Sequence, residues 1–232
     1  MDPGYRLVYL MNANIITAIE TQKKNPKRVN IFLDGEFGFG LSKMLAAYLK
    51  IGQELSNEKI EQLTIDDQLE KASQSALHFI SFRPRSIAEV RRNLAAKDIP
   101  IKVIETTIER LINTSFLDDR SFACQWVENR NEFRPRSKMA LKMELKVKNI
   151  SEEIIESVLA DINEEKLAYR AAKKYSHRLE NYDQFSFRKK LSSFLARRGF
   201  SYGNINPVVD LIWNEFQEES NQGKLIQYKE NS

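Results

Sequence analysis

The spacing of apolar residues changes at about Ser42. Before it they tend to alternate, and after it they recur every three or four positions, the periods of strand and helix. "NIITAIETQ" puts Ile15, Thr17 and Ile19 on one face of an extended segment, and Asn25–Lys27 ("NPK") reads as a turn. Val29, Ile31 and Leu33 then alternate, Asp34-Gly35 is a two-residue hairpin signal, and a third strand follows at Glu36–Leu41. The prediction is a small antiparallel meander. Helical spacing starts with Met44, Leu45, Tyr48 and Leu49, and Gly52 interrupts it. Ser56 caps a short helix reaching Leu63, and Thr64 caps another, with Asp66 and Asp67 in its first turn. The "GEFGFG" run lacks the Lys-Ser/Thr of a phosphate loop, so its glycines read as relief for a twisted hairpin.

The rest of the chain is helical and repetitive. "FRPRS" occurs at Phe82–Ser86 and at Phe133–Ser137, an offset of 51 residues. The match extends from "FRPRSIAEVRRNLAAKDI" over "FRPRSKMALKMELKVKNI", with Leu94 on Leu145, Lys97 on Lys148 and Ile99 on Ile150. A weaker third copy, "LSSFLARRGF", places Leu191, Leu195, Arg198 and Phe200 on Leu141, Leu145, Lys148 and Ile150. Each copy reads as three helices. The first uses Thr64–Ser81, Ser86–Lys97 and Ile101–Asn113. The second uses Asp119–Arg130, Ser137–Lys148 and Ser151–Asn163, and the third Glu164–Asn181, Phe187–Arg198 and Asn204–Gln217. "FRPRS" is then a connector: the residue before proline is driven out of the helical region, and Ser86 or Ser137 caps the next helix. Asn206-Pro207 reads as a first-turn proline.

The fold class is therefore mainly α, three tandem three-helix repeats in an elongated array after a small β-rich segment. The predicted domains are residues 1–63, repeats at 64–118, 119–163 and 164–217, and a polar tail at 218–232. Composition agrees: Gly (8) and Pro (6) are scarce in 232 residues, of which 42% are hydrophobic. The single cysteine, Cys124, excludes an internal disulfide and suits a reducing compartment. No apolar run nears the roughly 18 residues of a membrane span, and Asn12, Asn14 and Asp2 argue against a signal peptide across Leu7–Ala18. A cytoplasmic protein is expected, with Met11 a candidate start.

Net charge is a modest +4, but it is unevenly spread. Residues 120–148 alone carry +5, including Arg130, Arg134, Arg136 and Lys148, and the stripe Lys138, Lys142, Lys146 recurs every fourth residue. The third copy adds Arg188, Lys189, Lys190, Arg197 and Arg198; the first adds Arg83, Arg85 and Lys97. Packed like charges favour a phosphate backbone or an acidic protein groove as partner. Phe122, Trp126, Trp213 and Phe216 fall at core spacing. Phe82 and Phe133 fit either base stacking or a plug at the helix junction, and the plug is the reading adopted. His78 and His177 have no ligand partner at metal spacing, the pairs Asp66/Asp67 and Asp118/Asp119 sit where helix starts want negative charge, and Cys124 reads as a buried small residue. No catalytic, cofactor or metal site is implied.

"LDDRSFACQWVENR" (Leu117–Arg130), followed by an arginine-rich turn and a leucine helix, resembles the hallmark of the RecX family of recombination regulators. The likeness covers about Ala72 to Phe216. One departure is Asp98 and Asn149 where the family has the glycine of a Lys-Gly-Ile triplet; both residues tolerate the left-handed conformation. The resemblance implies a non-enzymatic protein lying along the groove of the RecA–single-stranded-DNA filament, limiting filament extension, ATPase, strand exchange and coprotease activity; a monomer is expected. Duplex DNA is a further possible partner. Two rivals are a general nucleic-acid-binding repeat protein and a metal-dependent nuclease using one Asp pair.

Overall fold

The computed structural model describes residues 14–230, with side chains through Glu218. The reading of Met11 as a start lies outside the described residues. The chain folds as two compact units. One holds the residues up to Arg83 together with Val90–Phe116. The other holds Pro84–Glu89 and everything from Leu117.

The first unit opens with strands β1 (Ile16–Gln22), β2 (Asn25–Leu33) and β3 (Glu36–Ser42), antiparallel in the order β1-β2-β3. Asp34 (φ 50°) and Gly35 (φ 92°) both take left-handed backbone, the geometry of a two-residue hairpin turn. The other turn differs from expectation: Asn25–Lys27 belongs to β2, and Lys23-Lys24 make the turn. The face of β1 also shifts. Ile16 is fully buried, Ile15 is 38% exposed and Thr17 is exposed, because the β1–β2 register slips between Ile16 and Ala18. Val29 and Ile31 join Ile16 and Leu41 in the core as their alternation predicts. A Cβ on Gly38 would stand 3.0 Å from Leu33, and one on Gly40 3.0 Å from Gln22 Nε2, so both glycines serve close cross-strand packing.

Ser42 caps the four-residue helix α1 (Lys43–Ala46), its hydroxyl accepting from Leu45 N. The next helix, α2 (Asn57–Ser81), is capped by Ser56 and runs unbroken for 25 residues. Thr64 is interior to it rather than a cap, its hydroxyl donating back to the Ile60 carbonyl at 2.9 Å. No Gly or Pro interrupts the stretch, and Leu63, Leu69, Ala72 and Ala76 keep one face buried across the expected break. Asp67 is therefore in mid-helix and 3% exposed. It accepts from both Arg28 Nη atoms at 2.9 Å, from Ser42 N at 2.9 Å, and pairs with Lys71 at 2.7 Å. Burial alone would raise its carboxyl, but the Arg28 and Lys71 bonds outweigh that and hold it below the ordinary aspartate range. This buried anchor ties β2 and the end of β3 to α2. Helix α4 (Ile101–Asn113) packs on α2 through Val103.

Helix α3 (Ile87–Ala95) begins in the second unit. That unit continues with α5 (Asp119–Phe133), α6 (Lys138–Val147), α7 (Glu152–Leu159), α8 (Glu164–Ser176), a 3-10 turn (His177–Leu179), α9 (Gln184–Arg197) and α10 (Tyr202–Glu230). Phe122, Leu141, Leu145, Ile150 and Ile155 form one core and Leu167, Phe187, Leu191, Leu195 and Ile205 another. Leu141, Leu145 and Ile155 correspond to Leu191, Leu195 and Ile205 in the next repeat. Helix α10 continues to Glu230, past the Gln217 end expected for it and through the stretch read as a tail. Pro207 lies in its second turn rather than its first, withholding one hydrogen bond from the helix.

Asp98 (φ 56°), Asn149 (φ 58°) and Gly199 (φ 89°) hold the same place just beyond α3, α6 and α9, all left-handed. Each ends its middle helix in the way glycine otherwise does. The departures from Lys-Gly-Ile therefore preserve the backbone.

Candidate functional site

The connectors prove to be joints between consecutive repeats. Ser86 Oγ accepts from Glu89 N at 3.2 Å while Glu89 Oε2 accepts from Ser86 N at 3.2 Å, a reciprocal cap on α3. The same hydroxyl donates to the Lys148 carbonyl at 3.0 Å, at the end of the middle helix of the next repeat. Asp119 Oδ1 accepts from Ile87 N at 2.9 Å, so the first residue of α5 caps the first amide of α3. The second joint repeats the plan. Ser137 Oγ accepts from Ala140 N at 3.1 Å, Ser137 N donates to the Arg198 carbonyl at 3.2 Å, and Glu164 Oε1, first in α8, accepts from Lys138 N at 3.0 Å. Ser86 and Ser137 are fully buried. Asp118 caps α5 through Arg120 N at 2.8 Å. The Asp118/Asp119 pair thus serves two different helices as caps, while Asp67 is an ion-paired anchor rather than a first-turn residue.

The basic side chains divide by their partners. Arg130 Nε and Arg136 Nε meet the Glu144 carboxylate at 2.8 and 3.0 Å, and Trp126 Nε1 donates to it at 2.7 Å. Arg130 and Lys148 also lie over the Trp126 ring, at 4.4 and 5.1 Å from its centroid. The lysine stripe is partly compensated. Lys142 and Lys146 converge on Glu152, which holds the Glu152 carboxyl below the ordinary range and raises the Lys142 ammonium, while Lys138 Nζ donates to the Ala160 carbonyl at 3.2 Å. Lys148 pairs with Glu89 at 2.8 Å and Arg188 with Asp210. Lys190 sits over the Tyr182 ring and Lys97 donates to Ser75 Oγ. Arg83 is exposed and Arg85 half-buried. Lys189 and Arg197 are exposed.

Arg134, Arg136 and Arg198 form a cluster of like charge. Arg198 Nη1 donates to the Pro135 carbonyl at 3.2 Å and its guanidinium stacks over Phe194 at 4.7 Å. Burial, with the Arg136 and Arg134 guanidiniums beside it, pushes the Arg198 pKa down. Arg134 is exposed.

Two aromatic expectations are corrected here. Phe82 and Phe133 plug nothing: they are 70% and 69% exposed. Pro84 and Pro135 turn the backbone directly after each helix, and the buried serines, not the phenylalanines, fill the joints. Cys124 is exposed as well, on the outer face of α5, because the buried positions there fall to Phe122, Ala123 and Val127. Among the described residues no cluster of three His, Cys, Asp or Glu side chains is placed to hold a metal, and no helix is long and apolar enough to cross a membrane.

Four family models match along the chain. "Regulatory protein RecX N-terminal domain" covers residues 14–56, and the first, second and third RecX three-helix domains cover 72–111, 118–159 and 163–209. The chain belongs to the RecX family. Among its relatives, Regulatory protein RecX of Bacillus subtilis (strain 168) is 31% identical over 215 residues, 90% of this chain and 81% of that protein. Regulatory protein RecX of Clostridium tetani is 34% identical over 206 residues, 86% and 94% of the two chains. A crystal structure of regulatory protein RecX aligns with a TM-score of 0.64 at 25% identity, covering 84% of this chain and 98% of that one. RecX from Lactobacillus salivarius shares the fold, with a TM-score of 0.54 at 24% identity over 62% of this chain and 96% of its own. The RecX relatives carry the name of regulators rather than of a chemical activity.

Sequence reading missed the cross-capping acids Asp119 and Glu164. Their signal was present as an acid at the first position of each following repeat, but an acid there also satisfies its own helix dipole.

Proposed function

We propose that this chain regulates the RecA recombinase by binding, lying along the RecA–single-stranded-DNA filament and limiting its extension, ATPase, strand exchange and coprotease activity. The observation that supports this reading best is the full set of RecX domains in order, from the β segment through three three-helix repeats. Exposed cations recur on the connectors and middle helices, and a charged filament groove is a surface they complement. Binding that favours one filament state biases the equilibrium between states, and needs no chemistry from the regulator.

The test is the DNA-dependent ATPase of RecA on single-stranded DNA, titrated with this protein. Inhibition is expected at ratios too low to cover the DNA, and the double substitution Lys142→Glu/Lys146→Glu weakens it. Inhibition only once the strand is saturated would reduce the activity to competition for DNA and overturn the recombinase-specific reading.

A further inference from the structure

Phe133 is a large apolar side chain that folding leaves 69% exposed at the last position of α5, although the chain buries Phe122 on the same helix. It lines a surface groove of about 560 Å3 together with Asn129, Asn131, Glu132 and Arg170. The groove wall also carries the amide-bearing side chains of Gln125, Asn129 and Asn131, which can donate and accept hydrogen bonds. Its charges are mixed, with Glu132 tied to Arg170 at 3.1 Å and Glu128 also at the wall. A phosphate is poorly served there. A neutral planar group is well served, having an aromatic face to stack on and amides to meet its edge.

The phosphate-binding capacity lies next along the chain. Arg134 follows Phe133 directly, and Arg136 and Arg198 sit beside it, with Arg198 bonded to the Pro135 carbonyl. Arg136 shares Glu144 with Arg130, leaving one carboxylate for two guanidiniums. An aromatic platform bordered by like-charged arginines matches a nucleotide in a single strand, whose base is free to stack and whose phosphate carries the compensating charge. A duplex offers the phosphates alone, because its bases are already stacked.

We infer that Phe133 and the adjoining groove hold an unpaired base of single-stranded nucleic acid, with Arg134, Arg136 and Arg198 holding the neighbouring phosphates. This deepens the proposed function and rests on its premise that DNA is a partner, while the recombinase itself plays no part in the site.

The experiment measures binding of the full-length protein, without recombinase, to a labelled oligothymidine strand and to a mixed-sequence duplex of equal length. Stacking by one aromatic predicts that Phe133→Ala weakens single-strand binding roughly tenfold and leaves duplex binding and thermal stability unchanged. Phe133→Trp restores the affinity. Arg134→Ala weakens both DNA forms and lowers the slope of log affinity against log salt by about one. Equal loss on strand and duplex would reduce Phe133 to a structural role and overturn the inference. Unchanged DNA binding would overturn it too; if RecA ATPase inhibition then falls in the same variant, Phe133 belongs to a protein contact. Intact stacking without substoichiometric ATPase inhibition would leave this site standing and remove the proposed function instead.

Discussion

At the first connector the third residue after Ser86 is Glu89; at the second, the residue in that place after Ser137 is Ala140. The two five-residue strings are identical, and the joints they form share a plan: a buried serine capping its own helix and bonding to the end of the next repeat, through its hydroxyl at the first and its amide at the second, and an acid reaching back from that repeat. Their charge is not alike. Glu89 completes a capping box and also takes Lys148 Nζ at 2.8 Å. Ala140 does neither, so Arg198, which corresponds to Lys148, turns to a carbonyl and an aromatic ring and shares its surroundings with Arg134 and Arg136. One side chain outside the repeated string thus separates a neutralised joint from a charged one. A recurrent motif can be structural in both copies while the charges packed around it differ.

The comparison breaks most severely at Gly199. Its φ of 89° is unsuited to a side chain, and a Cβ there would come within 2.6 Å of Ser137 Oγ. Gly199→Ala is expected to cost about 2 kcal/mol in thermal or denaturant unfolding. At the first joint the same backbone place is held by Asn149, and Asn149→Ala should cost only about 1 kcal/mol. Equal losses would mean that the second joint relaxes around the added methyl and that the two are not as closely matched as they look.

Next in size are the acids that cap from the following repeat. Asp119→Ala and Glu164→Ala should each destabilise by about 1 kcal/mol, the ordinary worth of an N-terminal cap. A marked inequality would show that the reciprocal cap of Ser86 and Glu89 compensates at the first joint alone.

The smallest effect on stability, but the most direct one on charge, comes from exchanging the distinguishing residue. Ala140→Glu should give Arg198 a carboxylate, lower the salt slope of DNA binding by about one and weaken affinity with it. Glu89→Ala should act in the opposite sense by releasing Lys148. If both substitutions leave the salt slope unchanged, neither joint faces DNA.

Much of the helical architecture was legible because period and punctuation agree. Leu141, Leu145, Leu191 and Leu195 recur at core spacing and are all buried; Ser86 and Ser137 cap just after a proline, and Ser151 caps just after the left-handed Asn149. The binding surface was less legible. Lys138, Lys142 and Lys146 form a stripe by sequence, but Glu152 comes from another helix to meet two of them. By sequence a phenylalanine in the Phe133-Arg134-Pro135 connector fits either plug or platform, and only the packing around it decides.

Local rules act over a few residues, so the sequence by itself determined the change from strand to helix near Ser42, the Asp34-Gly35 turn, and the equivalent left-handed positions of Asp98 and Asn149. Where a single residue offers several satisfactory partners, local rules tie, and tertiary structure decided the outcome. Thr64 stayed inside α2 because apolar burial continued past it; Asp67 became an anchor because Arg28 arrived from β2; Arg198 kept its charge exposed to neighbours of the same sign because Ala140 had nothing to offer it. Each depends on a group brought from a distance along the chain, and pairing across such distances is set by the fold rather than by spacing.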